Sequence, residues 1–281
     1  MAYRVNFRHL LYRRRVKRSP VQSAPANGHK KWEKIMKRPT GLILYQGPSL
    51  LDGAPIVVIA TGLSASTNSK TGNMVQTHIL RADMLPMDAI HMGEDSSICG
   101  ECPHRGDGTG KHRTCYVTVY QAQTAIYKAF QRGSYPVYDP AIHDRYLSGR
   151  AIRFGSYGDP AAAPIGVWRA LKALASITTG YSHQWRTISP EWAELVMASA
   201  DQPADVEAAR ALGYRSFRVG DKKVAGEVLC PASKEAGRKL QCADCGACSG
   251  ANGRRGSIYI PLHGGTAVMA NKSKLIARVA A

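Results

Sequence analysis

The sequence predicts an α/β fold, a partial or compact βα barrel with a basic N-terminal arm and cysteine-rich loops. Three observations support this prediction: apolar β-branched runs alternate with segments of helical periodicity, the cysteines lie in two polar, glycine-rich segments, and basic residues are concentrated at the N-terminus. Strands that alternate with helices favour a parallel sheet covered on both faces. An open doubly wound sheet is the alternative for the same pattern.

The distribution of charge divides the chain into a basic, flexible arm at residues 1–40 and a βα domain at residues 41–281. The net charge is +18, and residues 1–40 contribute +11 of it through twelve Lys or Arg and a single Glu. Such an arm is typical of segments that bind phosphate backbones by releasing counterions. We therefore expect a nucleic-acid partner for residues 1–40, with a solvated leader or an organelle-targeting segment as the alternative.

Composition argues against a membrane or secreted protein. The chain has no apolar stretch of about 18 residues, and its N-terminus lacks an apolar segment followed by a cleavage site of small residues. Without secretion disulfides are not expected, and seven thiols cannot all pair.

Apolar runs and helical periodicity give the order of the predicted elements. Residues 41–60 form two early strands or a hairpin. Later strands are predicted at 74–80, 151–157, 180–184, 194–199, 214–219, 226–230 and 257–262, and helices at 115–132, 161–175, 190–193 and 203–212. The first cysteine loop follows the strand at 74–80, and Cys230 ends the strand at 226–230. Because loops after parallel strands meet at one edge of the sheet, we expect both cysteine groups to face one pocket.

The first cysteine group, in the loop at 93–115, has the spacing C-x2-C-x12-C and consists of Cys99, Cys102 and Cys115. Three thiolates with one open position suit a [4Fe-4S] cluster whose fourth iron binds a small molecule. Zinc is the alternative, because His112 would complete a Cys3His set. Cys115 is predicted to begin a helix, where the helix N-terminus favours the thiolate.

The second cysteine group, in the loop at 230–250, has the spacing C-x11-C-x2-C-x2-C and consists of Cys230, Cys242, Cys245 and Cys248. Four thiolates are enough to close a tetrahedral zinc site or to hold a complete cluster. The C-x2-C-x2-C core favours the cluster, because the cysteine pairs of zinc sites are normally well separated.

The order strand, cysteine loop, helix, strand ending in Gly158-Asp159-Pro160, helix resembles the start of the radical S-adenosylmethionine barrel. The resemblance implies a [4Fe-4S] cluster on the first three cysteines, S-adenosylmethionine bound near Gly155, Gly158 and Asp159, and an auxiliary cluster on the second group. The family's signature spacing is C-x3-C-x2-C, which this chain lacks. Residues 70–262 also resemble uncharacterised phage and plasmid proteins with two cysteine clusters, which implies a cytoplasmic protein of a bacterial host.

Several of these residues also have a plain structural interpretation. Gly-Asp-Pro is a common strand-to-helix turn in which Asp159 caps the helix. Tyr181, His183 and Trp185 alternate along a predicted strand and would point to one face, where His183 is a candidate cofactor-binding residue or a packed core histidine. Ser199 and Asp201 lie at the end of the next predicted strand, and from this position they could form hydrogen bonds with a ribose.

The sequence leaves three functions open. The first is an iron–sulfur enzyme with a radical-S-adenosylmethionine-like barrel that acts on or near nucleic acid. The second is a non-catalytic nucleic-acid-binding protein whose loops are stabilised by zinc. The third is a cluster-bearing redox or sensor protein.

Overall fold

A computed structural model describes residues 38–66, 68–251 and 256–262. Most of the predicted basic arm, residues 1–37, lies outside these ranges.

The first sheet begins with the predicted hairpin and continues into parallel strands. Strand β1 (Gly41–Pro48) pairs antiparallel with β2 (Pro55–Thr61), and β2 pairs antiparallel with β3 (Val75–Arg81). Strands β4 (Ala151–Tyr157) and β5 (Ile177–Thr179) then add in parallel, which gives the order β1-β2-β3-β4-β5. The central part of β2 is a fully buried β-branched run, as expected for a strand covered on both faces.

The second sheet is entirely parallel. It consists of β6 (Tyr181–Ser182), β7 (Met197–Ala200), β8 (Ser216–Gly220), β9 (Glu227–Leu229) and β10 (Ser257–Pro261). Their order is β6-β7-β8-β10-β9, so the last strand in sequence inserts between the two before it.

The two sheets meet at Gly180, the single residue between β5 and β6. Its carbonyl accepts a hydrogen bond from the Met197 N–H at 2.9 Å, which starts the pairing with β7. A Cβ at this position would lie 3.0 Å from the Phe154 Cβ and 3.1 Å from a Val196 methyl carbon. The close approach of β4 and the segment before β7 therefore favours glycine here.

Helices connect and cover the strands. They are α1 (Pro86–His91), α2 (Ser96–Cys99), α3 (Ala122–Gln131), α4 (Pro140–Leu147), α5 (Ile165–Leu174), α6 (Pro203–Ala211) and α7 (Cys242–Cys245). Five 3-10 turns occur among the described residues, at Pro103–Arg105, Pro160–Ala162, Gln184–Arg186, Pro190–Glu194 and Lys234–Ala236. Proline begins α1, α4 and α6, where its missing N–H has no partner to lose. Within the described ranges, no helix has the length and apolar character needed to cross a membrane.

The main core lies between the first sheet and its helices. Trp168 on α5 is fully buried, packs against Phe154 of β4 at 5.2 Å between ring centroids, and donates its indole N–H to the Pro160 carbonyl at 2.9 Å. The helix is thereby fixed to both the strand and the turn that follows the strand, and this turn borders the site described below.

The α/β class predicted from the sequence is confirmed, and the described strands form two open sheets rather than a closed barrel. The strand predicted at 151–157 has the observed bounds of β4. The helix predicted at 115–132 is wrong in its first turns, because α3 begins at Ala122 and residues 113–118 have no regular structure. Val117, Thr118 and Val119 are β-branched, and such residues lose side-chain freedom in a helix. Cys115 therefore does not lie at a helix N-terminus.

His78 on β3 makes the stability of the fold depend on pH. Burial, and then the nearby Arg153 guanidinium, lower the pKa of His78 from 6.5 to about 4. The unfolded chain takes up this proton below about pH 6.5, whereas the folded chain stays neutral there until about pH 4. Acidification across this window therefore favours unfolding.

We expect the His78→Gln variant to lose less stability than the wild type as the pH falls from 6.5 to 4, by roughly 3 kcal/mol across the window. Urea unfolding at several pH values measures this difference. His91→Gln, on the exposed end of α1, is the control and should follow the wild type. Parallel pH profiles for His78→Gln and the wild type would contradict the assignment.

Candidate metal centre

All seven cysteines line one cavity of about 840 Å³. The cavity runs along one face of the parallel strands and reaches their carboxyl ends, where the loops after β3, β6, β7 and β9 converge. The two groups come from segments more than a hundred residues apart in the chain, and parallel pairing brings them to the same side of the fold. The expectation that both groups face one pocket agrees with this arrangement.

The loop that carries the first cysteine group is folded around a buried carboxylate. Asp95, with 1% of its side chain exposed, accepts hydrogen bonds from Arg105 Nε at 2.9 Å and Arg113 Nη1 at 2.7 Å. The Gln184 side chain holds the other edge of the loop, because its Nε2 donates to the Cys99 carbonyl at 3.1 Å. Gly100 leaves room for this side chain: a Cβ there would lie 2.5 Å from it.

The three cysteines of the first group are half-buried, and Cys99 is near enough to the other two for them to influence its pKa. Cys99 ends α2, and the pKa of its thiol is raised well above the ordinary value, first by burial and then by the proximity of Cys102 and Cys115. Burial is also the main cause that raises the pKa of Cys115. A cation among these sulfurs would favour the thiolates that burial disfavours, so the group has the electrostatic character of a metal-binding set.

The second group lies at the far side of the cavity. Cys242 and Cys245 begin and end α7, Cys230 follows β9, and Cys248 lies in the next turn, where its carbonyl accepts from the Gly180 N–H at 3.4 Å. Burial raises the pKa of Cys248 to about 12, and nearby Cys230 adds to the rise.

Two cations face the second group. Burial is the main influence on the pKa of Cys242 and raises it, whereas Arg153 and Lys70 act in the opposite direction. The Arg153 guanidinium also lies 5.4 Å from the centroid of the Tyr181 ring. Within the described part of the chain it has no hydrogen-bonded acceptor, so its charge is available to the thiolates and to a ligand in the cavity.

The spacing of the sulfurs bears on the kind of metal centre. Ligands around one zinc ion, at about 2.3 Å from it, lie about 3.8 Å from one another. Among the described residues, the only His, Cys, Asp or Glu trio whose ligand atoms all lie within 4.8 Å of one another contains no cysteine. In neither cysteine group do three sulfurs lie within 4.8 Å of one another, so neither group is closed around a single ion in this structure.

His112 does not join the first group. Its side chain is 74% exposed, its Nε2 lies 3.9 Å from the Asp107 carboxylate, and its backbone has a φ of 57°. It is not among the residues that line the cavity. The Cys3His set predicted as the zinc alternative is therefore not assembled with His112.

A different histidine approaches the first group. His183 Nε2 lies 4.0 Å from Cys102 Sγ and 3.6 Å from an oxygen of Asp201. His104, two residues after Cys102, places its Nε2 3.0 Å from the other oxygen of Asp201. The sequence analysis selected His183 and Asp201 separately and missed His104, although its position directly after Cys102-Pro103 in the cysteine loop was a usable signal.

Gly155, Gly158 and Asp159 line the cavity beside the first group, and their local geometry also has a structural cause. Both glycines have positive φ, at 60° and 81°. One Asp159 oxygen accepts the Ala161 N–H at 3.0 Å and caps the turn after β4, and the other accepts the His183 N–H at 2.7 Å. The cap accounts for one oxygen and a bond to a distant segment for the other, while a role for these residues in binding S-adenosylmethionine stays a prediction.

The predicted alternation of Tyr181, His183 and Trp185 is wrong. Strand β6 ends at Ser182, and a 3-10 turn at Gln184–Arg186 follows. Tyr181 and His183 line the cavity, whereas Trp185 is 1% exposed and donates its indole N–H to the Ser199 carbonyl at 2.9 Å. Trp185 therefore serves the core and is not placed to stack on a ligand.

No protein-family model matches the chain, and comparison with curated proteins and with solved structures gives no significant similarity. The functional argument consequently depends on the geometry of the cavity.

We expect Asp159→Ala to destabilise the fold by about 3 kcal/mol, because it removes both the cap and the acceptor of the buried His183 N–H. Asp139→Ala is the matched control, since Asp139 caps α4 through the Ala141 N–H at the same distance of 3.0 Å. It should lose only about 1 kcal/mol. Urea unfolding of metal-free protein compares the two, and equal losses would show that the His183 hydrogen bond contributes nothing.

Proposed function

We propose that the chain is an iron–sulfur enzyme whose two cysteine groups hold two inorganic centres that face one substrate cavity. The observation that supports this most directly is the convergence of all seven cysteines on one cavity at the carboxyl ends of parallel strands. In α/β folds such ends are the usual place for chemistry. Two purely structural metal sites would have no need to share a cavity.

We further propose that the two sheets act as one open, barrel-like βα array of the radical-S-adenosylmethionine type. Support comes from the segment at 177–182, whose first half pairs with β4 and whose second half pairs with β7. The strands from β3 onward are then parallel throughout. The first cysteine group lies after the first parallel strand and the Gly158-Asp159 turn after the second, which is the order that the family resemblance implies.

The two groups differ in the chemistry they would support. A cluster on Cys99, Cys102 and Cys115 has one iron without a protein ligand, and that iron would supply an open coordination position and an electron. The four-cysteine group can hold its centre with protein ligands alone, so its role is structural or electron relay. S-adenosylmethionine is the proposed ligand of the open iron.

The cavity between the two groups carries features of a polar substrate site. On neighbouring strands, Arg153 pairs with Gln76 on one side and Thr179 on the other, and all three side chains line the cavity. The Thr179 hydroxyl is buried and has no hydrogen-bond partner among the described residues. A cation beside an unpaired hydroxyl favours a substrate that carries negative charge, such as a nucleotide or a nucleic-acid strand.

The proposal is tested by metal and sulfide analysis of anaerobically purified full-length protein. We expect a brown protein with about eight iron atoms and as many sulfides for two [4Fe-4S] clusters. Cys99→Ser with Cys102→Ser, and Cys242→Ser with Cys245→Ser, should each remove about half of both.

His112→Ala is the control for this experiment, because the exposed His112 lies outside the cavity and its removal should leave iron and sulfide unchanged. A colourless protein with stoichiometric zinc would refute the iron–sulfur proposal. Reversible reduction without turnover of S-adenosylmethionine would favour the redox or sensor function.

A nucleic-acid-binding function is the second candidate, and the observation that favours it is the charge of +11 within residues 1–40. It does not require catalysis, and its metals, zinc in that case, would stabilise the loops. The iron–sulfur enzyme and the zinc-stabilised binding protein differ in the metal that they should contain. Both predict that residues 1–40 bind nucleic acid.

We expect the triple variant Arg13→Gln, Arg14→Gln, Arg15→Gln to weaken binding to single- and double-stranded DNA. The salt dependence of log Kobs should become shallower by about 0.7–0.9 for each lost phosphate contact. Fluorescence anisotropy at several salt concentrations measures both effects. Replacement of Lys128 and Lys223, two exposed cations elsewhere on the chain, is the control. An unchanged affinity and slope in the triple variant would remove the arm from nucleic-acid binding.

A further inference from the structure

Three side chains from three different elements meet at the cavity beside the first cysteine group. His104 lies in the 3-10 turn after Cys102, His183 follows β6, and Asp201 follows β7. Their potential ligand atoms all lie within 4.8 Å of one another, and this is the only such trio of His, Cys, Asp or Glu among the described residues. All three line the cavity.

We propose that His104, His183 and Asp201 bind a divalent transition metal as a mononuclear site separate from both cysteine groups. Two imidazoles and one carboxylate suit iron, manganese or zinc, and such a set leaves coordination positions open to water or substrate. The site is independent of which metal the cysteines hold, so it goes beyond the function proposed above.

Two distances in the trio are close to those between neighbouring ligands on one ion. Bonds of about 2.1 Å from imidazole or carboxylate to a metal place neighbouring ligand atoms about 3.0–3.4 Å apart for octahedral or tetrahedral geometry. The Asp201 oxygens lie 3.0 Å from His104 Nε2 and 3.6 Å from His183 Nε2. The two imidazole nitrogens and an Asp201 oxygen lie within 4.8 Å of one another, and a metal ion would draw the three side chains closer together.

A second contact orients the His104 ring, as is usual for metal-binding histidines, and backbone hydrogen bonds fix the positions of His183 and Asp201. His104 Nδ1 lies 2.6 Å from the Thr114 hydroxyl, which leaves Nε2 directed to Asp201. The backbone N–H of His183 donates to the Asp159 carboxylate at 2.7 Å. The Asp201 N–H donates to Asp205 at 2.8 Å, at the start of α6, and this bond fixes the residue at the end of β7.

Burial also favours a bound ion. The three side chains are 18–19% exposed, so they are accessible from the cavity but shielded from bulk solvent. A divalent cation bound by one carboxylate and two neutral imidazoles would leave a net positive centre beside the cysteine thiolates. That charge would be balanced by the first cysteine group, whose Cys102 Sγ lies 4.0 Å from His183 Nε2.

The test uses the full-length protein with its cysteine-bound metal in place, and Co²⁺ as the probe. Equilibrium dialysis should give one equivalent of Co²⁺ per chain whose spectrum lacks sulfur-to-cobalt charge transfer. His104→Gln and Asp201→Asn should each weaken this binding at least 10-fold, and Thr114→Val should weaken it by a smaller factor. His112→Gln, an exposed histidine outside the cavity, is the matched control and should bind as the wild type.

X-ray absorption of Co²⁺ bound to the wild-type protein provides a measurement that needs no variant. Nitrogen and oxygen ligands with imidazole scattering support the proposal. The proposal is overturned if Co²⁺ is coordinated by sulfur, if Cys102→Ser abolishes the binding, or if His104→Gln and Asp201→Asn bind as much Co²⁺ as the wild type. A protein that holds no iron or sulfide but still binds one Co²⁺ through nitrogen and oxygen ligands would refute the iron–sulfur proposal and support the site at His104, His183 and Asp201.

Discussion

The pairing of one short chain segment on both of its edges determines where the cavity lies. Residues 177–179 pair with β4 and residues 181–182 pair with β7, so the first sheet continues into the second at Gly180. Because the strands on both sides run in parallel, their carboxyl ends point in one direction. The loops that carry the cysteines and histidines of the site begin at that end. In the second cysteine group, Cys230 directly follows β9, and the other three cysteines lie in and after α7. Strand direction thus does more to assemble this site than any single side-chain contact.

The two sides of the cavity differ in electrostatic character. The side with the first cysteine group favours a bound cation, and the side with the second group carries cations of its own. Burial, and then the proximity of other cysteines, raise the pKa of Cys99 in the first group and of Cys248 in the second. Arg153 and Lys70 lie near the second group and oppose this tendency there. A metal centre would release protons on binding and couple its own affinity to pH. The cations of the cavity therefore lie on the side of the second cysteine group, where they favour thiolates and anionic ligands.

Much of the scaffold could be predicted from the sequence, and the reasons are local. In the strand at 151–157 the apolar Ile152 and Phe154 alternate with Arg153 and Gly155. The strand is bounded by Gly149 and by Gly158-Asp159-Pro160, and both boundaries are strong turn signals. The parts of the site that were missed depend on contacts between distant segments. His112 had a suitable spacing from Cys115, but a positive φ and a turn at Gly106–Gly110 direct it to solvent. His104, His183 and Asp201 meet only because two strand ends and a loop converge, and no spacing rule within one segment describes that.

A contact between two segments far apart in the chain borders the cavity. The backbone N–H groups of Cys242 and Ala243 donate to the carbonyls of Lys70 and Thr71, and the Gln241 amide donates to Ser69. These few bonds, near the surface, join the approach to β3 with the second cysteine loop. Opening them requires far less free energy than global unfolding, since exposed hydrogen bonds with little buried apolar area open locally. Because one side of this connection lies at residues 69–71 and the other at residues 241–243, it forms only after most of the chain has been synthesised, so the second cysteine loop closes against the cavity late.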